Sequence, residues 1–593
     1  METINSFKGY GKVSEAEDRE FRRKTRRRLI LIIIGLLLLL FIIIGVTAGT
    51  IISRKHNNNG TLDSPSPSSG LSTASSIKAM CKVTHYPDSC FSSLSSAVSS
   101  SSKSDPEELF KLSIHVAMDA ISNLSSVPDS FSVPTNDKRL REALDVCKEL
   151  FDDAVDHLNT SVSSLSPAPG EKLLTSSKMD DLKTWLSAAI TDLSTCLDGF
   201  EGTVGDAGDK MKIAMNTSTE LTSNALAITA GILNIMNSLK FPIHRKLLTE
   251  TKMMIITQHS LPHWVSPEQR RELQATKEQA QQLPNVTVAK DGSGDVMTVG
   301  EAVAMVPKKS KDQFVIYVKA GEYVENVVVD KNKWNVFIYG DGIDNTIISG
   351  GRNFIDGTPT FSTATFVAVG RRFMAKGISF KNTAGPDKHQ AVALRAGSDQ
   401  SVFYKCSFDG YQDTLYAHSL RQFYRDCVIT GTIDFIFGNA AVVFQSCNIK
   451  PRQPLPNQSN TITAQGRTDP NQNTGISIQS STISALDSLT RPTYLGRPWK
   501  PYSTTIIMKT EISAVVDPSG WMPWVAGTVP PETIMYAEYD NTGPGAAVAG
   551  RVKWPGYQSS VSDKVAQKFS VASFIAGDEW LPDSGVEFVS TLS

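Results

Sequence analysis

Gly-Tyr-Gln-Asp-Thr-Leu-Tyr at 410–416 and Gly-Thr-Ile-Asp-Phe-Ile-Phe-Gly at 431–438 set Asp413 and Asp434 21 residues apart. Gln-Ala-Val-Ala-Leu at 390–394 stands one such step earlier, with Gln390 22 residues before Gln412 and 23 before Asp413. Around these blocks, β-branched runs such as Phe314 to Val318, Val327 to Val329, Asn335 to Tyr339, Thr346 to Ile348 and Ala441 to Phe444 alternate with Gly, Asn and Asp. Runs of this kind read as short strands closed by turns. Their loose period of about twenty residues predicts a solenoid rather than a sandwich. With one coil per step, Gln390, Gln412, Asp413 and Asp434 project from one face of successive coils, about 5 Å apart at the usual strand spacing.

Two carboxylates beside two amides suit acyl transfer. One acid attacks a carbonyl, the other protonates the leaving alkoxide and then activates water, and amide N–H groups hold the oxyanion. Adjacent carboxylates resist double ionisation, so the one nearer a cation stays charged while its partner's pKa rises. Asp and Asn also fill solenoid turns for purely structural reasons. Asp434, however, is flanked by Ile433, Phe435, Ile436 and Phe437, where an unpartnered charge is costly. Arg497, in Leu-Gly-Arg-Pro-Trp at 495–499, is the candidate partner, and Trp499 offers a flat face to a sugar ring. Gly-x-Ser-x-Gly, His-Glu-x-x-His and Asp-rich calcium loops are missing. His259 and His263 have metal-like spacing, but Pro262 between them argues against a helix. Neither a metal nor an organic cofactor is expected.

Toward the N-terminus the periodicity changes. From 78 to 240 apolar residues recur at three and four: Leu109, Leu112, Val116 and Ala120; Leu140, Leu144, Cys147, Phe151, Ala154 and Leu158; Leu182, Trp185, Ala189, Leu193 and Cys196; Ile228, Ile232 and Ile235. This pattern predicts a helical bundle. Residues 241–284 join the halves and carry two basic motifs, Arg245-Lys246-Leu247-Leu248 and Arg270-Arg271-Glu272-Leu273, which read as processing sites. Residues 53–77, rich in Ser, Asn and Pro, read as a flexible spacer.

Before the spacer, the apolar run 29–52 follows Arg22, Arg23, Lys24, Arg26, Arg27 and Arg28. It is long enough to span a bilayer, and the basic cluster places residues 1–28 in the cytosol and the rest across the membrane. A long cleaved signal peptide is the alternative; the length of the run favours an uncleaved anchor. Seven cysteines fit an oxidising lumen, four in the first half and Cys406, Cys427 and Cys447 in the second. Sequons at Asn59, Asn123, Asn159, Asn216, Asn285 and Asn457 agree with that route. With 59 Lys and Arg against 60 Asp and Glu, nothing points to a nucleic-acid partner.

Gly-Glu-Tyr-Val-Glu at 321–325, the blocks at 390–394, 410–416, 434–438 and 495–499, and Asn-Thr-Gly-Pro-Gly at 541–545 fall in one order, and 285–593 closely resembles the pectinesterase family. The resemblance implies a right-handed parallel β-helix that removes methyl groups from pectin, with Asp434 as nucleophile and Asp413 as proton donor and later base. It implies that Gln390 and Gln412 serve the oxyanion, that Arg497 holds Asp434, and that Thr360, Gln390, Arg497 and Trp499 touch the polysaccharide. It also implies a Cys427–Cys447 disulfide, with Cys406 free. The helical half resembles the pectinesterase-inhibitor domain, which implies a four-helix bundle with bridges Cys81–Cys90 and Cys147–Cys196. That arrangement implies a pro-region removed by a processing protease before the enzyme reaches the cell wall, where proteinaceous inhibitors are further partners. Glu272 stands where a leucine is expected, which favours the first motif, and the tail 587–593 also departs from the family. Two rival readings are a β-helical polygalacturonase, which would make new reducing ends, and a non-catalytic wall-binding protein, against which the retained acids argue.

Overall fold

The computed structural model describes residues 73–98, 105–133, 137–165, 175–238 and 283–592. The apolar run 29–52, both basic motifs, the His259 and His263 pair and Asn59 lie outside them. Among the described residues no helix is long and apolar enough to cross a membrane.

Among the described residues, six α-helices form the first half: α1 Thr73–Cys81, α2 Pro87–Ala97, α3 Pro106–Ser122, α4 Lys138–Ser164, α5 Ser176–Asp198 and α6 Ala207–Ser238. The first corrects the spacer boundary, because Thr73 to Ile77 are already helical, with Ile77 and Met80 in the core. The disulfide Cys81–Cys90 ties α1 to α2, and Cys147–Cys196 ties α4 to α5. Helix starts are capped as the sequence allows. The side chains of Asp105, Asp137 and Thr175 accept from backbone N–H groups of the first turns of α3, α4 and α5. The α4 stripe is buried as expected, from Leu140 through Leu158. On α3 Leu109 is buried as expected, but the rest of the buried stripe is Phe110, Ile114, Ala117 and Ile121, and Leu112, Val116 and Ala120 pack at its margin. Two adjacent apolar stripes on one helix leave periodicity unable to choose the face.

The second half winds through three parallel sheets of eleven, seven and eight strands, in which each strand pairs mostly with those three before and after it in sequence. Leu394 pairs with Leu415 and Leu415 with Ile436, which is the 21-residue step. Aromatic side chains stack inside from coil to coil: the rings of Phe403 and Tyr424, and of Tyr424 and Phe444, have centroids 4.6 Å apart. Coils turn at left-handed residues, among them Lys405, Asp426, Ser446, Ser480, Lys509 and Asp540. The C-terminal segment buries Val571, Ile575, Trp580 and Leu581 on the outside of the eleven-stranded sheet, and Val589 of the tail exchanges hydrogen bonds with Gln445 there. The seven-stranded sheet is left to the helical half.

The expected Cys427–Cys447 bridge is absent. Cys406, Cys427 and Cys447 are all free, buried thiols, each just ahead of one of the neighbouring strands Ser407–Asp409, Val428–Gly431 and Asn448–Pro451. Their sulfurs lie against backbone carbonyls, Cys427 on Phe403 at 3.3 Å and Cys447 on Tyr424 at 3.6 Å. That weak hydrogen bonding satisfies each thiol within the coil stack.

Candidate active site

The strands Leu415–Ala417 and Ile436–Gly438 of the seven-stranded sheet position the two acids, each two residues upstream of its strand. Both acids have left-handed backbone, φ 62° at Asp413 and 50° at Asp434. Asp tolerates this conformation better than most residues, and it occurs here where each coil enters the sheet. The step that pairs Leu415 with Ile436 brings Asp413 level with Asp434, and the Asp413 N–H donates to the Ile433 carbonyl. The predicted row is not quite straight, since the same register sets Gln390 level with Tyr411 rather than with Gln412.

Arg497 grips Asp434 in a fork: its Nε donates to both carboxylate oxygens at 2.9 and 3.1 Å, and its Nη2 to Oδ2 at 2.7 Å. A second ligand was not legible in the sequence. Thr461 Oγ1 donates to Asp434 Oδ1 at 2.6 Å and accepts from the Asp434 N–H at 2.8 Å. Thr461 sits 27 residues on, because the loop ahead of strand Asn460–Gln465 lengthens that coil beyond the period. Among the described residues Asp413 has no such partners. Burial first, and then the neighbouring Asp434 carboxylate, push its pKa well above the carboxylate range, with Arg497 pulling the other way and Glu201 adding to the rise. The pair is therefore divided into an acid that keeps its proton and a carboxylate held by a cation.

A cavity of about 210 Å³ opens on both acids and is lined by every predicted site residue: Thr360, Gln390, Gln412, Asp413, Asp434, Arg497 and Trp499. Gln390 Oε1 is buried there without a hydrogen-bond partner among the described residues. Aromatic rings that the sequence reading passed over extend the floor: Tyr416 stacks on Phe437 at 4.1 Å, Phe437 meets Trp499 at 6.1 Å, and Trp499 meets Trp524 at 6.3 Å. Alternation alone marks such residues as facing in or out, not as part of a cleft. The roof is equally unforeseen. Thr195, Asp198, Gly199 and Glu201, from the end of α5 and just beyond, complete the cavity wall.

The halves meet through polar pairs around this roof. Lys500 donates to Asp198 at 2.6 Å, Arg421 to Asp181 at 2.7 Å, Trp185 to Asp399 at 3.2 Å, and Thr195 and His418 lie 3.0 Å apart. The five described sequon asparagines, Asn123, Asn159, Asn216, Asn285 and Asn457, are all exposed.

The sequence pattern of the family described as pectinesterase matches residues 285–578, and that described as plant invertase/pectin methylesterase inhibitor matches 75–228. Among curated relatives, pectinesterase 3 of Phaseolus vulgaris is 54% identical over 598 residues, covering 100% of both chains. Pectinesterase 1 of Arabidopsis thaliana is 54% identical over 596 residues, covering 99% of both. The solved structure of pectin methylesterase from carrot is 53% identical and superposes with a TM-score of 0.51, covering 53% of this chain and 99% of that one. A relative matched from end to end at this identity settles the assignment: the chain belongs to the pectinesterase family.

Proposed function

We propose that the β-helix half is a carboxylic ester hydrolase that demethylates homogalacturonan, giving free carboxylates and methanol. The observation that carries this reading is the divided carboxylate pair: Asp434 gripped by Arg497 and Thr461, and Asp413 buried beside it, its pKa pushed up by burial and by the neighbouring carboxylate. In this scheme an Asp434 oxygen attacks the ester carbon, and the side-chain amides of Gln390 and Gln412 receive the developing oxyanion. As the tetrahedral species collapses, Asp413 gives its proton to the departing methoxide, leaving the sugar acyl group on Asp434. Asp413, now a carboxylate, takes a proton from water as that water attacks the acyl carbon, and Asp434 is released. Thr360 and Trp499 belong with the aromatic floor in holding the sugars.

The helical half serves as a pro-region that roofs the cavity and is removed in the segment 241–284, at Arg245-Lys246 or Arg270-Arg271, with residues 29–52 anchoring the precursor in the secretory route and the exposed sequons taking glycans. The roof supports autoinhibition more directly than a role in folding, since Glu201 and Asp198 line the same cavity as Asp413 and Asp434.

The deciding experiment is methanol release from highly methylated pectin by protein cut in 241–284, beside its Asp434→Asn variant. Asparagine tolerates the left-handed backbone, so the fold is kept. Activity is expected to fall by at least about a thousandfold. Equal methanol release by the variant removes Asp434 as nucleophile, and new reducing ends without methanol would make the protein a glycosidase.

A further inference from the structure

We propose that Arg395 and Lys331 form a site for the free carboxylates of already demethylated polygalacturonate, and that carboxylates of α4 occupy it as stand-ins while the helical half is in place. The inference rests on the esterase reading and deepens it by naming the polymer segment held beside the reacting sugar.

Arg395 is distinguished by how it is paired. Arg421, Arg452, Arg497 and Arg551 each bond a carboxylate of their own half: Asp399, Asp409, Asp434 and Glu538 respectively. Arg395, with a side chain only 6% exposed, has its ion pair across the interface, with Glu149 of α4 at 3.3 Å. Its Nε is buried with no hydrogen-bond partner among the described residues. The guanidinium carbon lies over Phe361, 3.4 Å from the ring centroid, and its strand pairs Arg395 directly with Tyr416 of the cleft floor. Without the helical half this arginine is a positive charge on the cleft sheet, one coil from Asp413, with no carboxylate of its own to meet.

Lys331 repeats the pattern farther along. It follows strand Val327–Val329, which lies two coils beyond the strand of Arg395, so the two cations are roughly 10 Å apart along the coil axis. Its ammonium meets Asp156 at 2.8 Å, Asp153 at 3.2 Å and Asp152 at 3.7 Å, all of α4. On that helix Glu149, Asp153 and Asp156 are separated by four and then three residues, one face of a helix rising 1.5 Å per residue, so the row spans about 10 Å. A demethylated galacturonate chain presents the same thing, carboxylates spaced along a stiff polymer. A methyl ester carries no charge and gains nothing from either cation. The site therefore selects the free-acid part of a partly processed chain and lays the next ester toward Asp413.

The test uses the full chain cut in 241–284 and freed of its helical half; the carrot structure, which corresponds to the β-helix half of this chain, is the precedent for handling that half alone. Binding of unesterified and fully methylated galacturonate oligomers of equal length is titrated directly at constant ionic strength, every protein also carrying Asp434→Asn so that the ester is not hydrolysed. Arg395→Gln is expected to weaken the free-acid oligomer by about tenfold and Lys331→Gln by severalfold, each reducing the preference for acid over ester. In a companion experiment on the cut but still associated halves, the free-acid oligomer is expected to displace the helical half at a concentration about tenfold below that of the ester. An acid-to-ester binding ratio unchanged in both variants overturns the proposal, as does displacement by both oligomers alike. Because Arg395 packs on Phe361, its variant could misfold; the half-exposed Lys331 then carries the test by itself. Binding is read without turnover, so failure of methanol release by the unmutated protein would sink the esterase reading and leave this outcome separately readable.

Discussion

Asp434 and Asp413 show how two identical side chains acquire opposite surroundings. Asp434 has three donor contacts from Arg497 and one from Thr461; Asp413 has burial and a like charge. Replacing Arg497 with Lys keeps a positive charge but loses the fork. Turnover is expected to fall on the order of a hundredfold, and a thermal melt should show the destabilisation that follows when a buried ion pair is broken. Retention of full turnover would show that the fork is dispensable. The raised pKa of Asp413 has a sign that can be checked: in the proposed scheme the group gives its proton to methoxide, so kcat/KM should decline as pH rises through its pKa. Removing the helical half takes away Glu201 and some of the burial, so the decline is expected at lower pH in the cut enzyme than in an intact chain with residual activity. A pH–rate profile of the two forms decides it, and a decline at the same pH in both would show that the roof does not act on Asp413. These acids were legible because a fixed coil step repeats them; Thr461 was not, because a longer loop breaks that step.

At the scale of elements, α4 is the interface helix, and its charges make docking depend on pH. Burial raises Asp153 to about 6, with Lys331 pulling the other way and Glu149 adding to the rise. A raised acid binds its proton more tightly in the docked form, so its contribution is fully present below the ordinary carboxylate pKa and is lost as pH rises through about 6. Asp192, also raised by burial, acts in the same direction. His157, lowered by burial to about 4, and His418, lowered by burial and by Arg395, act in the opposite one, so the wild-type dependence is a difference. Asp153→Asn isolates one side of it: between pH 4.5 and 7 the dissociation constant of the cut halves should rise roughly tenfold less in the variant than in the parent. Calorimetric titration at the two pH values checks this, and equal ratios would remove Asp153 from the balance. Helix faces were only partly legible. The single stripe of α4 is buried as its spacing predicts, whereas on α3, with apolar residues on adjoining faces, only Leu109 of the expected stripe is buried. Trp185, placed in the α5 stripe by spacing, instead hydrogen-bonds to Asp399 of the β-helix half.

For the whole molecule, the contacts that hold the helical half on the β half join residues more than two hundred positions apart, such as Ser223 with Asp469 and Asn439 with Thr191. On the proposed autoinhibition, an intact chain is expected to release methanol at least about tenfold more slowly than the same preparation cut in 241–284, since Asp198 and Glu201 of the helical half line the cavity that opens on Asp434. Equal rates before and after cutting would mean that the roof lifts freely in the intact chain.

The sequence by itself determined the division into a helical and a β half, the coil step, and the identity of the acids, amides, arginine and tryptophan of the site, because periodicity and motif order are local properties of the chain. Two disulfides followed from the resemblance and were found; the third was not, since buried sulfurs one coil apart can satisfy themselves on backbone carbonyls. Only the tertiary structure decided which aromatic residues face the cleft, that Thr461 holds Asp434, and that α4 and α5 set their carboxylates against the cations of the cleft sheet. Those facts depend on how one half packs on the other, and no repeat within either half encodes the match of charges between them.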